Sequence, residues 1–163
     1  MDVRGWTYPA IMAGMEDPLF VPAEFIVPSR LEGPGFVLRP LVVDDNDGDL
    51  DAWSTSADHI HATPGFEGHP WPDEPMTLER NHEDLQGHVD DYAARRGFTY
   101  TVERDGETIG CVYIYPSKSD GVDVNVRSWV RASHADEDIP LYTAVNQWIV
   151  SEWPFDVVEY AGR

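Results

Sequence analysis

The sequence predicts an α+β domain in which a mixed, mostly antiparallel sheet is flanked by helices. Three observations carry that expectation. Strand-like FTYTVER is joined to strand-like ETIGCVYIYP across Asp105 and Gly106, a pair that suits a tight hairpin turn. Two stretches, 77–96 and 139–153, repeat apolar residues at helical spacing. The second of these lies between strand-like VDVNVRSWVR and DVVEY, so that a helical crossover links two parallel strands.

At 163 residues, 42% hydrophobic and 12% aromatic, the chain suits one domain with a substantial core. Its formal net charge is -19, from 30 acidic against 11 basic residues, and Lys118 is the only lysine. A field of that sign disfavours nucleic acid and anionic membrane. The acidity suits either attraction of a cationic amine or a solvated surface, and its spread along the whole chain favours the second. Cys111, the single cysteine, has no internal disulfide partner and falls in a strand pattern beside Ile109 and Tyr113, which suits a buried thiol. No apolar run reaches the ~18 residues of a membrane span and the N-terminus lacks a signal pattern, so a cytoplasmic protein is expected.

Residues 1–35 hold Pro9, Pro18, Pro22, Pro28 and Pro34 with Gly5, Gly14, Gly33 and Gly35, which argues against a long helix or a central strand. Phe25–Val27 reads as a short edge strand. Trp6, Tyr8, Phe20 and Phe25 are too many large apolar groups for a free tail, so 1–35 is expected to be an arm packed on a domain spanning 36–163. That domain opens with FVLRPL, where Phe36 and Leu38 alternate with Val37 and Arg39 and Pro40 marks an edge or a strand end. Asp44 or Asp45 is the expected N-cap of a helix carrying Leu50, Trp53 and Ala57 on one stripe. Residues 58–75, with four prolines and two glycines, read as a long loop. His59, His61 and His69 near Glu67 match no metal-ligand spacing, so no metal is expected there.

From Thr77 to Arg96, Leu78, Leu85, Val89 and Tyr92 form a stripe, Thr77 is the N-cap, Gly97 closes the far end, and Arg95 and Arg96 suit the helix dipole. His82 and His88 read as surface residues. After the hairpin, Val122, Val124 and Val126 point one way while Asp123, Asn125 and Arg127 point the other. The last helix turns Leu141, Val145, Trp148 and Ile149 inward, with Pro140 in its first turn and Pro154 past its end.

Element order and three motifs, FVLRPL before an acidic helix start, ERDGETIGCVYIYP with Gly110, and SWVR at Ser128–Arg131, together resemble the GNAT superfamily of acyl-CoA-dependent N-acyltransferases. The resemblance covers about residues 36–160. It implies acetyl transfer from acetyl-CoA to the amine of a small molecule or a protein. It places the pantetheine arm on the backbone of Trp129, Val130 and Arg131 and the pyrophosphate at the helix start beside Ile139 and Leu141. Asp123, the acidic residue of the matching strand, becomes the candidate base for the amine proton.

Where the family carries a basic or glutamine position and then alternating glycines, this chain has Ala135, Asp136, Asp138 and Pro140. Proline offers no N–H, side chains crowd the space that glycine leaves open, and carboxylates stand where phosphate would sit. A helix N-terminus favours an anion by about 0.3–1 kcal/mol, or about 2 when partly buried. Two like charges about 4 Å apart repel by about 4 kcal/mol at an effective dielectric of ~20, so repulsion prevails if either carboxylate faces the site. The alternative role for Asp136 and Asp138 is to cap the helix themselves.

The family also continues past the strand matched by DVVEY with a helix that often carries a thiolate-protonating tyrosine, a place that neither Tyr142 nor Tyr160 takes. The exposed edge of that last strand is expected to be covered by the arm around residues 20–27 or by a second copy in a homodimer. Two readings of function follow: an acetyltransferase with an altered cofactor grip, or a degenerate GNAT-fold binding or assembly module that does not bind acyl-CoA.

Overall fold

The computed structural model describes residues 19–73 and 75–163. One six-stranded sheet runs in the order β1 (Leu31–Glu32), β2 (Val37–Pro40), β3 (Phe98–Arg104), β4 (Glu107–Pro116), β5 (Val124–Val130) and β6 (Val158–Tyr160). Every neighbouring pair is antiparallel except the parallel β5 and β6. Helices α1 (Asn46–Ser54), α2 (Ala57–Ala62) and α3 (Leu78–Ala93) lie between β2 and β3, and α4 (Asp138–Glu152) is the crossover from β5 to β6.

The hairpin turn forms as its residues dictate, with Asp105 and Gly106 at φ 51° and 78°. Strand alternation then divides the core. Phe98, Tyr100, Val112, Ile114, Val124 and Val126 pack with Leu141, Val145, Trp148 and Ile149 of α4, while Cys111, Tyr113, Tyr115 and Trp129 pack with Trp53, Ile60, Phe66, Trp71 and Leu85 on the other face. Gly110 lets β4 and β5 close up, since a Cβ there would lie 2.1 Å from the Trp129 carbonyl oxygen.

Several expectations are corrected. Phe25–Val27 is not a strand; the edge strand is Leu31–Glu32, which pairs with β2 at the edge opposite β6. Phe20 and Phe25 pack on the apolar cluster, and Arg95 holds this segment by donating to the carbonyls of Pro22 (2.7 Å) and Phe25 (2.9 Å). The described part of the arm therefore forms no ladder with β6, and Trp6 and Tyr8 lie outside the described residues. Asp45 makes no side-chain cap to α1. Its carboxylate takes Arg39 at 2.6 Å, Thr101 at 2.9 Å and the Val42 N–H at 3.0 Å. Burial pushes that carboxyl up, but those donors outweigh it and hold Asp45 below the usual carboxylate range. Ala57 starts the separate helix α2, which carries His59 and His61 out of the expected loop.

Thr77 caps α3 as expected, accepting from the Arg80 N–H at 3.2 Å. The helix is nevertheless rotated from its apolar stripe: Asn81, Leu85, His88 and Asp91 face inward and Leu78 is 48% exposed. His88 is thus buried, because Thr99 and the Tyr115 hydroxyl meet its Nδ1 at 3.0 and 2.9 Å. The left-handed position after α3 falls on Arg95 (φ 58°) rather than Gly97, whose missing side chain makes room for the Tyr115 ring. Among the described residues no group of three or more His, Cys, Asp or Glu is arranged to hold a metal. No helix among them is long and apolar enough to cross a membrane.

Candidate functional site

Strands β5 and β6 pair only from Val124 with Val158 to Val126 with Tyr160, after which β5 runs on beside β4 to Val130. The resulting wedge holds the side chain of Arg163, which is 3% exposed. Its Nη2 donates to the Ser128 carbonyl (2.9 Å) and hydroxyl (3.2 Å), its Nη1 to the carbonyls of Ala161 (2.9 Å) and Pro64 (3.2 Å), and its Nε to Asp138 (2.6 Å). The guanidinium thus supplies Ser128 with the N–H that a paired strand would have given. Ser128 Oγ and the Tyr160 hydroxyl lie 2.5 Å apart, and burial pushes the Tyr160 phenol well above its ordinary range, so it stays protonated. The Tyr142 and Tyr160 rings, 4.7 Å apart, lie together beside the guanidinium at 5.6 and 5.8 Å.

A 3-10 turn, Ala132–Glu137, connects β5 to α4. Two of its N–H groups are bonded inside the protein, Ala132 to Ser56 Oγ at 2.8 Å and His134 to the Arg131 carbonyl at 2.9 Å, and just past it the Asp138 N–H donates to the Ala135 carbonyl. The N-cap of α4 is Glu137, and no side chain caps it. The caps expected from Asp136 and Asp138 do not form: Arg163 takes the Asp138 carboxylate, Arg104 pairs with the N-cap Glu137, and Asp136 is exposed. Charge-assisted bonds of this kind are about twice as strong as neutral ones, so the ion pairs win the carboxylates from the helix end.

No protein-family model and no curated protein matches the sequence. Solved structures do match. A putative ribosomal-protein-serine acetyltransferase from Vibrio cholerae superposes with a TM-score of 0.59 at 14% identity, over 86% of this chain and 74% of that one. Mycobacterium smegmatis RimJ in complex with CoA-disulfide gives 0.58 at 15% identity, over 80% of this chain and 65% of that one. The apo form of RimL, a ribosomal alpha-N-protein acetyltransferase, gives 0.55 at 9% identity, over 74% and 62%. This chain has the GNAT fold. It spans less than two thirds of the RimJ and RimL structures.

Within this GNAT fold the residues singled out by resemblance land in different places. Trp129 and Val130 are fully buried, and Trp129 Nε1 donates to the Tyr113 hydroxyl at 2.9 Å. Arg131 bonds Asp51 and Glu107 at 2.6 and 2.7 Å, tying the end of β5 to α1 and β4. Ile139 is 63% exposed at the start of α4, while Leu141 lies in the core. Ile139 and Leu141 thus stand at the start of α4, whereas the side chains of Trp129 and Arg131 turn to the α1 side. Asp123 stands just before β5, at the end away from Ser128, and accepts the N–H groups of Asp156 and Val157, both at 2.8 Å. Sequence reasoning missed Ser128, Tyr160 and Arg163 as a set, since the space that joins them depends on where β6 ends beside β5.

Behind Trp129, the α1 and α3 side carries a buried polar network. Asn81 donates to Asp49 (3.0 Å) and Asn46 (2.8 Å) and accepts from Trp53 Nε1 (3.1 Å). Burial lifts the Asp49 carboxyl to about 6, against the bond from Asn81 that lowers it. Burial also pushes the Cys111 thiol well up, helped by Asp49 and Asp45, so the core thiol expected from sequence is protonated and inert.

Proposed function

We propose that this chain uses the GNAT scaffold as a binding module and does not hold acyl-CoA in the conformation described. The observation that supports this reading is Arg163 in the wedge, bonded at once to Ser128 and Asp138. The groups present fit an acyl-CoA poorly: the open edge of β5 at Ser128 is taken, the Ala132 and His134 N–H groups of the following turn are spent internally, Pro140 has none, and moving Arg163 out would bare the Asp138 carboxylate at the helix start. Magnitude decides between a plug and a ligand. Displacing Arg163 leaves Asp138 without its cation, and breaking such a pair costs about 3–5 kcal/mol when it is buried. A ligand that would otherwise bind at about 1 μM, worth about 8 kcal/mol, is left with about 3–5, in the millimolar range or weaker.

Acetyl transfer to an amine is the second reading, favoured by the fold; it requires Arg163 to leave the wedge. Thermal melts with acetyl-CoA separate the two, because a ligand of the native state must raise its melting temperature. The binding-module reading expects no rise for the unmodified protein. A rise confined to Arg163→Ala assigns the closure to the arginine, and no rise in either assigns it to the 132–137 turn. A rise of several degrees in the unmodified protein favours the acetyltransferase.

A further inference from the structure

On the α1 side of the same two strands, a cleft of about 330 Å³ lies between the β5–β6 edge and the loop at Gly65, lined by Asn125, Arg127, Glu159 and Ala161. Asn125 and Glu159 are partners in the parallel ladder, and Arg127 follows two residues on, so strand alternation puts all three on one face. Glu159 is fixed there: Asn125 Nδ2 and Ser117 Oγ both donate to its Oε2 at 3.1 Å. The loop arches closely over the floor, since a Cβ at Gly65 would come within 3.7 Å of Ala161 and 3.8 Å of the Arg127 stem.

Arg127 is the anomaly. Arg39, Arg95, Arg104, Arg131 and Arg163 all spend their guanidinium groups on carboxylates or carbonyls. Half-buried Arg127 makes no hydrogen bond or ion pair with any described residue, although the chain has 30 acidic groups to offer. Burial lowers its pKa and attraction to Glu159 only partly opposes this, as expected of a cation whose counter-charge is near but not in contact. A guanidinium presents a planar fork matched to a carboxylate. Glu159, diagonal to it on the same floor, is placed to take an ammonium.

We propose that this cleft binds a small amino-acid zwitterion, its carboxylate on Arg127 and its ammonium on Glu159. The net charge of -19 weighs against a plain anion, whereas a zwitterion carries no net charge for that field to repel. The inference rests on the binding-module reading and supplies its ligand class.

β-Alanine, propionate and propylamine, titrated into the full chain and read by backbone amide shifts, form the test. β-Alanine should give saturable shifts centred on Gly65, Arg127 and Ala161, with propionate and propylamine each at least about tenfold weaker. Arg127→Gln should abolish the response, and Glu159→Gln should weaken β-alanine while leaving propionate unchanged or stronger. The amide spectrum reports whether each variant is folded; if Arg127→Gln is not, Arg127→Lys, which keeps the charge and loses the fork, must still weaken β-alanine. No saturable shift with β-alanine, an unchanged response in a folded Arg127 variant, or propionate equal to β-alanine overturns the proposal. Acetyl-CoA titrated in parallel reports on the closed wedge separately: its binding would contradict that reading and leave the cleft to be decided by β-alanine.

Discussion

Toward α4 the central strands present Phe98, Tyr100, Val112, Ile114, Val124 and Val126; toward α1 and α3 the same strands present Thr99, Thr101, Cys111, Tyr113 and Tyr115. The first face is filled by volume and aromatic contact, as where Tyr100 meets Trp148 edge-on at 5.1 Å. On the second, each polar group needs a partner, and Asp49, Asn81, His88 and Asp91 are buried there among one another's bonds. Ser128 is the polar exception on the α4 side, and it marks the wedge. The contrast teaches that one sheet can combine a face that tolerates any pH with a face whose stability depends on protons.

The largest expected effect tests the dry face. Ile149→Ala should cost about 2–5 kcal/mol in chemical denaturation, through lost burial and the cavity left behind, and that cost should be the same across the pH range where the protein folds. A cost that varies steeply with pH would break the contrast.

Asp49 tests the polar face. Its folded-state pKa of about 6 stands above the unfolded value of about 3.9, so its contribution is fully present below about pH 4 and is lost as pH rises through about 6. The loss is on the order of 3 kcal/mol. Asp45 works in the opposite sense, since its lowered pKa gives stability that disappears as pH falls below about 4. The stability of Asp49→Asn relative to the unmodified protein should therefore improve between about pH 4 and pH 7. A difference that stays flat over that window would show that Asp49 titrates normally.

The smallest effect concerns the surface both faces share. With a net charge of -19, raising sodium chloride from about 0.1 M to 1 M shortens the Debye length from ~10 Å to ~3 Å and should raise the melting temperature by relieving self-repulsion. A falling melting temperature would mean that ion pairs such as Arg39 with Asp45 and Glu103 outweigh that repulsion.

Much of this architecture is legible in the sequence, because local rules agree with the global fold wherever one residue type decides. Asp105-Gly106 fixes the hairpin, alternation fixes β3 to β5, and Leu141, Val145, Trp148 and Ile149 fix the inner face of α4. What escaped depends on distant partners. Nothing near His88 or Asn81 announces burial, since their partners are Tyr115, Thr99 and Asp49 on other elements. The acidic helix start was legible in the sequence, but not Arg104 and Arg163, which pair with Glu137 and Asp138 there. Arg127 was legible only as the outward side of an alternating strand, and the cleft beside it needs β6 and the Gly65 loop to exist.

The closed wedge is tested most directly by titration calorimetry of the unmodified protein with acetyl-CoA. With Arg163 seated between Ser128 and Asp138, the account predicts no heat of binding at micromolar concentrations. Saturable binding at about 1 μM or tighter, equivalent to about -8 kcal/mol, would contradict it and place the chain among the working acetyltransferases.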